Sequence, residues 1–258
     1  LRPPPDRPAW RWASGHRRVP NQSAEPGPYK PDLTPWVKPI TEAVHSALYR
    51  RIVGVFGSQM SKTEILLNLM GHCAMDARMP QLFVGPTRDN IAEISVDRFD
   101  EMLRLCPELW ANTAKAKKLK ITEKHVFGVP IFFGWGGSVM QLSSRSVFQL
   151  LVDEIDAMSV IKGQGHPVYI SEARLATYLK AGGRSILTGT PTLGAIKRET
   201  HPQTGIEHWA DSDDLGSLIW QLWQQGTRGE WAWNCPDCYD WFVPWSGLLT
   251  YPEDATPN

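Results

Sequence analysis

Two short groups of residues carry most of the chemistry available to this chain. The first is Gly57-Ser58-Gln59-Met60-Ser61-Lys62-Thr63, a turn of small and polar residues that ends in an ammonium and a hydroxyl. It follows the β-branched run 51–56 and precedes a helical pattern from about Lys62 to Met75, which is the strand–turn–helix setting of a phosphate-binding loop. There, successive backbone N–H groups and the positive helix end surround a polyphosphate. Lys62 would supply charge to the β and γ phosphates, and the Thr63 hydroxyl would ligate Mg²⁺. The turn departs from the usual pattern, since Ser61 stands where a glycine is expected and Phe56 occupies the place of the leading glycine. A plain helix start capped by Ser61 would leave the same trace.

The second group is Asp153-Glu154, at the end of the apolar run 148–152. Open α/β sheets hold ligands at the carboxyl ends of their strands. At such an end Asp153 would hold magnesium through water, and Glu154 would orient and deprotonate an attacking water. The rival reading is a pair of solvated carboxylates at the start of a helix. A third run, 184–191, ends in Thr188-Gly189-Thr190-Pro191. Beside the acidic strand it would put a hydroxyl near the γ-phosphate, where it could couple hydrolysis to movement.

The elements needed to position these groups are visible as an alternation of patterns. Buried strands are expected at 51–56, 81–85, 148–152 and 184–188, and helices at 62–75 and 91–105. A helix from Thr34 is expected to carry Trp36, Ile40, Val44, Leu48 and Tyr49 on one face. The segment 120–133 reads as a hairpin, and 218–223 as a strand or a short helix. This order predicts an α/β fold, a mainly parallel sheet with helices on both faces. Residues 1–31 read as an extended Pro- and Arg-rich arm, 32–225 as the phosphate-binding domain, and 226–258 as a Trp- and Cys-rich extension.

The 258 residues carry 27 basic and 27 acidic side chains, so any contact with nucleic acid must be local. Lys115, Lys117, Lys118, Lys120 and Lys124 form the densest basic run, and Arg2, Arg7, Arg11, Arg17 and Arg18 make the arm basic. Phosphate contacts or a solvated face are the two readings of the lysines, and a solvated tail or a contact with DNA or a neighbouring subunit those of the arm. Cys73 and Cys106 fall in apolar helical patterns and read as core residues. Cys235 and Cys238 have the spacing of a zinc half-site. No apolar run is long enough to span a bilayer and no leader is visible, so the protein is expected to act inside the cell.

Taken together, Pro26-Gly27-Pro28-Tyr29, Thr34-Pro35-Trp36, residues 58–64, Gly85-Pro86-Thr87, residues 151–156, Thr188-Gly189-Thr190-Pro191 and Cys235-Pro236-Asp237-Cys238 resemble one ordered series. The series is similar to that of the large terminase subunit of tailed double-stranded DNA phages, in the lambda-like branch. The resemblance runs from about Pro26 to Trp245. It implies a RecA-like P-loop ATPase of the added-catalytic-glutamate type, using Mg²⁺ with ATP in the host cytoplasm. It further implies double-stranded DNA, the small terminase subunit and the portal protein of the procapsid as partners, and a homo-oligomeric ring. By the same resemblance Lys62 and Thr63 take the phosphate and magnesium roles, Asp153 the metal role, Glu154 that of the base, and 188–191 the coupling role.

Terminases usually carry glycine at the position of Ser61, and many have a basic residue at that of Ser58. With no loop cation, the transition-state charge needs another donor, and Arg145, just before the acidic strand, is expected to supply it, with Arg98 as competitor. Relatives often have a second Cys-x-x-Cys downstream, so zinc would need ligands beyond Cys235 and Cys238, from His201, His208 or elsewhere. The nuclease domain of full-length relatives is expected to be absent. A helicase-type ATPase is the enzyme alternative, disfavoured because a second RecA-like domain is missing. A non-catalytic DNA-binding or assembly module with a degenerate loop is the other.

Overall fold

Continuous apolar runs such as 150–152 have no polar face to turn to water, and they form strands covered on both sides. The computed structural model describes residues 5–114, 120–194, 197–211, 216–245 and 248. Its central sheet has six strands: β1 Arg51–Val55, β2 Gln81–Gly85, β3 Glu123–Val126, β4 Val129–Trp135, β5 Gln149–Val152 and β6 Arg184–Gly189. Their order is β1-β6-β5-β2-β4-β3, and every neighbouring pair is parallel except the terminal β3–β4 pair. All residues of β2 and β5 are buried. Alternate side chains feed two apolar layers. Phe83, Leu151 and Ile186 join the layer on one face, whereas Leu82, Val84, Leu150, Val152 and Leu187 join the other. The strand β6 lies between β1 and β5.

Four helices matter for the site: α1 Ala9–His16, α2 Val37–His45, α3 Lys62–His72 and α4 Leu218–Gln224. The helix α3 is buried on nearly every side, from Ile65 to Gly71. It runs on into a π-helical turn, Cys73–Ala77, and the helical segment 88–105 contains another at Glu93–Phe99.

Several expectations are corrected. The described part of 1–31 is not a solvated arm, because it contains α1, whose Trp12 and Ala13 are fully buried against the core. An added Cβ on Gly71 would lie 2.1 Å from the Trp12 ring, so the bare glycine of α3 is what lets the tryptophan dock. Arg7 forms a two-pronged pair with Asp76, at 2.7 and 2.9 Å, and Arg17 is buried against Glu64 and Asn68. These cations serve the fold. The sequence could not expose this, since their partners lie 47 to 69 residues away.

The helix α2 ends at His45, leaving Leu48 82% exposed. The hairpin is present, but its first strand is Glu123–Val126, later than expected. Lys124 is buried and paired with Asp100 at 2.8 Å, which removes it from any DNA-facing surface, while Lys115, Lys117 and Lys118 lie outside the described residues. The open choice at 218–223 resolves as helix, capped by Ser217, whose Oγ accepts from Trp220 N. No helix among the described residues is long and apolar enough to cross a membrane.

Candidate functional site

The site is built where β1, β6 and β5 end together. After β1 the chain turns through 57–61 into α3, and two residues of that turn, Gln59 and Ser61, are left-handed, with φ of 61° and 59°. Left-handed backbone is free for glycine and unfavourable for other residues. That is the physical reason a glycine is usual before the lysine, and Ser61 meets the same geometry at a cost. The backbone N–H groups of Gly57 to Thr63 line this turn and the first residues of α3. These donors sit at the positive end of an 11-residue helix and suit an anion.

Across the sheet end, Asp153 and Glu154 meet this turn. Lys62 Nζ donates to Glu154 Oε1 and lies 3.5 Å from Asp153 Oδ1. Thr63 Oγ1 donates to Asp153 Oδ2 at 2.9 Å. From β6, Thr188 Oγ1 donates to Asp153 Oδ1 at 2.9 Å, and Glu154 N donates to the same oxygen at 3.0 Å. Gly189 O accepts from Phe56 N at 3.0 Å, which ties the end of β6 to the start of the turn. The Asp153 side chain is only 6% exposed, whereas that of Glu154 is 40% exposed. The first is therefore held in place and the second can reach water. Glu154 is itself left-handed, at φ 53°, which turns its side chain away from the strand direction.

The donor set fits a magnesium nucleotide. The amides of the turn, one ammonium and a hydroxyl lie beside two carboxylates, so hard oxygen ligands and phosphate donors share one place. Thr190 follows Gly189 and is half-buried.

Residues that sequence had noted for other reasons, Trp36, Arg17 and Arg98 among them, also support the turn. Trp36 Nε1 donates to Met60 O at 3.2 Å, and its ring meets Trp231 edge-on at 6.3 Å. Glu64, two residues past Lys62, accepts from Arg17 and Arg98, each at 2.5 Å. Burial alone would raise the Glu64 carboxyl, but Arg17 and Arg98 outweigh it and hold its pKa below the usual range. An acidic residue in the first helical turn was the only sequence signal.

Arg145 is not at the binding end. It precedes the start of β5, pairs with Glu123 at 3.2 Å and covers the Phe132 ring at 4.2 Å, by the β4–β3 edge of the sheet. The expectation that it projects from the domain edge near the binding end of the sheet is corrected, because a loop feeding the amino end of a strand lies opposite the acids at its carboxyl end. Cys235 and Cys238 flank a tight turn in which Tyr239 N donates to Cys235 O at 2.9 Å. Backbone hydrogen bonds at Cys238 and Asp237 lower the Cys235 pKa. Among the described residues no group of three or more His, Cys, Asp or Glu side chains could hold a metal, and His201 and His208 face one another instead. Two thiols do not make a closed zinc site.

The fold is similar to the crystal structure of the HK97 bacteriophage large terminase, with a TM-score of 0.56 at 12% identity, over 73% of this chain and 38% of that one. The large terminase ATPase domain of Thermus phage P74-26 also matches, with a TM-score of 0.42 at 16% identity, over 72% of this chain and 84% of that one. Among curated proteins none matches by sequence. The chain thus spans well under half the length of the HK97 protein. The model of the family described as phage terminase large subunit gpA, ATPase domain, matches residues 23–258. The chain belongs to that family and carries the ATPase domain of a phage terminase large subunit.

Proposed function

We propose that the turn 57–63 binds Mg²⁺-ATP and that Glu154 is the base for its hydrolysis, which drives double-stranded DNA into a procapsid. The observation that carries this reading is the meeting of Lys62 and Thr63 with Asp153 and Glu154 at one sheet end, with Thr188 between them. Bound magnesium would supply charge neutralisation for the phosphates. The chain's own groups do the rest. Gly57, Ser58, Gln59, Met60 and Ser61 present amides to the β-phosphate, Lys62 adds its charge, and Thr63 and Asp153 take the metal. Lys62 rests on the carboxylate of the base, so a polyphosphate that draws the ammonium away also frees Glu154 to accept a proton from water.

Thr188, Gly189 and Thr190 report the state of the site, because the Thr188 hydroxyl holds the metal-binding carboxylate directly. The small terminase subunit, the portal protein and a homo-oligomeric ring belong to this reading, and family membership supports it. Zinc at Cys235 and Cys238 requires ligands from another chain or segment.

Two variants test the site. Lys62→Ala is expected to lose nucleotide binding, measured by titration with a fluorescent ATP analogue. Glu154→Gln should keep that binding and lose turnover by about 100-fold or more, as for removal of a general base. Undiminished hydrolysis in either variant overturns the assignment.

A further inference from the structure

The residue two places after the proposed base has a part that neither the phosphate chemistry nor the family description assigns. Asp156 lies in the short turn Ile155–Ala157, and its Oδ1 accepts from Ile219 N at 2.9 Å. That amide belongs to the first turn of α4, 63 residues further along the chain. A first-turn amide has no acceptor inside its own helix, so the carboxylate supplies what the helix lacks. The bond thus ties the turn that carries Glu154 to the start of α4.

The same place is closely packed. A Cβ built on Gly189 would lie 3.4 Å from both Ile155 N and the Ile219 side chain, and Ile155 and Ile219 are fully buried. The end of β6, the turn after Glu154 and the first turn of α4 therefore form one junction. Further along α4, Trp220 and Trp223 pack on Val53 and Val55 of β1, the strand that leads into the phosphate turn. The helix is anchored at one end to the acidic turn and along its body to the phosphate-loop strand. It then continues into the extension from 226.

We infer that Asp156 is a positioning residue that holds the Glu154 turn on α4 and passes a change at the nucleotide to that helix and the extension beyond it. Glu154 stays left-handed only while its surroundings hold it there. The Asp156 bond and the buried Ile155 supply that hold. If the turn shifts as Lys62 leaves Glu154, α4 must shift with it. The inference rests on the reading of Glu154 as the base, and its test is chosen to separate the two.

The test is hydrogen exchange of segments 152–158 and 217–224, with and without Mg²⁺ and a non-hydrolysable ATP analogue, in wild type, Asp156→Ala, Asp156→Asn and Ser217→Ala. In wild type both segments are expected to change protection several-fold on nucleotide addition. In Asp156→Ala only 152–158 should respond, and kcat should fall about tenfold with KM for ATP changed less than about twofold. Only one oxygen of Asp156 is engaged, so Asp156→Asn retains the acceptor and should restore both responses. Ser217→Ala removes the other cap of α4 and should lower its protection without uncoupling the two segments. A normal 217–224 response in Asp156→Ala, no response of that segment in wild type, or failure of Asp156→Asn to restore it overturns the inference. Should Glu154→Gln hydrolyse ATP normally while Asp156→Ala uncouples exchange, the base assignment fails and the link stands.

Discussion

At the scale of single residues the site is governed by backbone sign as much as by side-chain chemistry. Ser61 and Gln59 occupy left-handed conformations that glycine would adopt without cost. Ser61→Gly is expected to raise unfolding free energy by up to about 1 kcal/mol, and Ser61→Val to lower it by about 1 to 2 kcal/mol, both read from urea denaturation. Nucleotide affinity should fall with the valine and survive with the glycine. Every residue that meets at the sheet end was legible from sequence, because each lies within a few positions of a strand end. What sequence did not reveal was the resting partner of Lys62, since a salt bridge across 92 residues leaves no local pattern. Nor did it give Asp156, which reads as one more acid in an acidic turn.

The elements were legible in proportion to how completely they are buried. Gln81–Gly85 is found at its expected bounds because every residue in it is apolar or internally paired. The helix α1 was missed because only Ala9, Trp12 and Ala13 of its residues are buried and its neighbours are arginines. Trp12→Ala should destabilise the protein by about 3 to 5 kcal/mol, measured by denaturant unfolding, since the ring fills the space over Gly71.

Beneath α1, a cavity of about 250 Å³ is lined by Asp6, His45, His72 and Asp76 among others. Burial lowers the His72 pKa from 6.5 to about 4, against the opposing pull of Asp76. The unfolded chain therefore binds more protons than the folded one between these values, and stability rises with pH across that window. The stability lost on acidification from pH 6.5 towards 4 is expected to approach 1.4 kcal/mol per pH unit at most. His72→Gln should flatten that slope in unfolding titrations.

For the whole molecule, the sheet separates two functions by its two ends and two edges. The proposed nucleotide site lies at the carboxyl ends of β1, β6 and β5, whereas Arg145 sits at the β4–β3 edge before the start of β5. Any part it takes in hydrolysis is therefore proposed to be on a neighbouring copy. If it acts there, Arg145→Ala subunits mixed with Glu154→Gln subunits under assembling conditions should regain ATP turnover that neither has alone. Wild-type turnover by Arg145→Ala by itself removes the residue from the mechanism. The fold class followed from alternating patterns, while the docking of α1 across α3 did not, because it joins segments remote in sequence.

That docking also has a consequence for how the chain is made. Trp12 leaves the ribosome well before Gly71, and at roughly 5–20 residues per second the interval is on the order of several seconds. Throughout it, the first helix has been synthesised but its seat has not. A short helix of eight residues is marginal alone in water. Trp12 must therefore wait, uncovered, until α3 emerges, so α1 finds its place only after a segment that is made later.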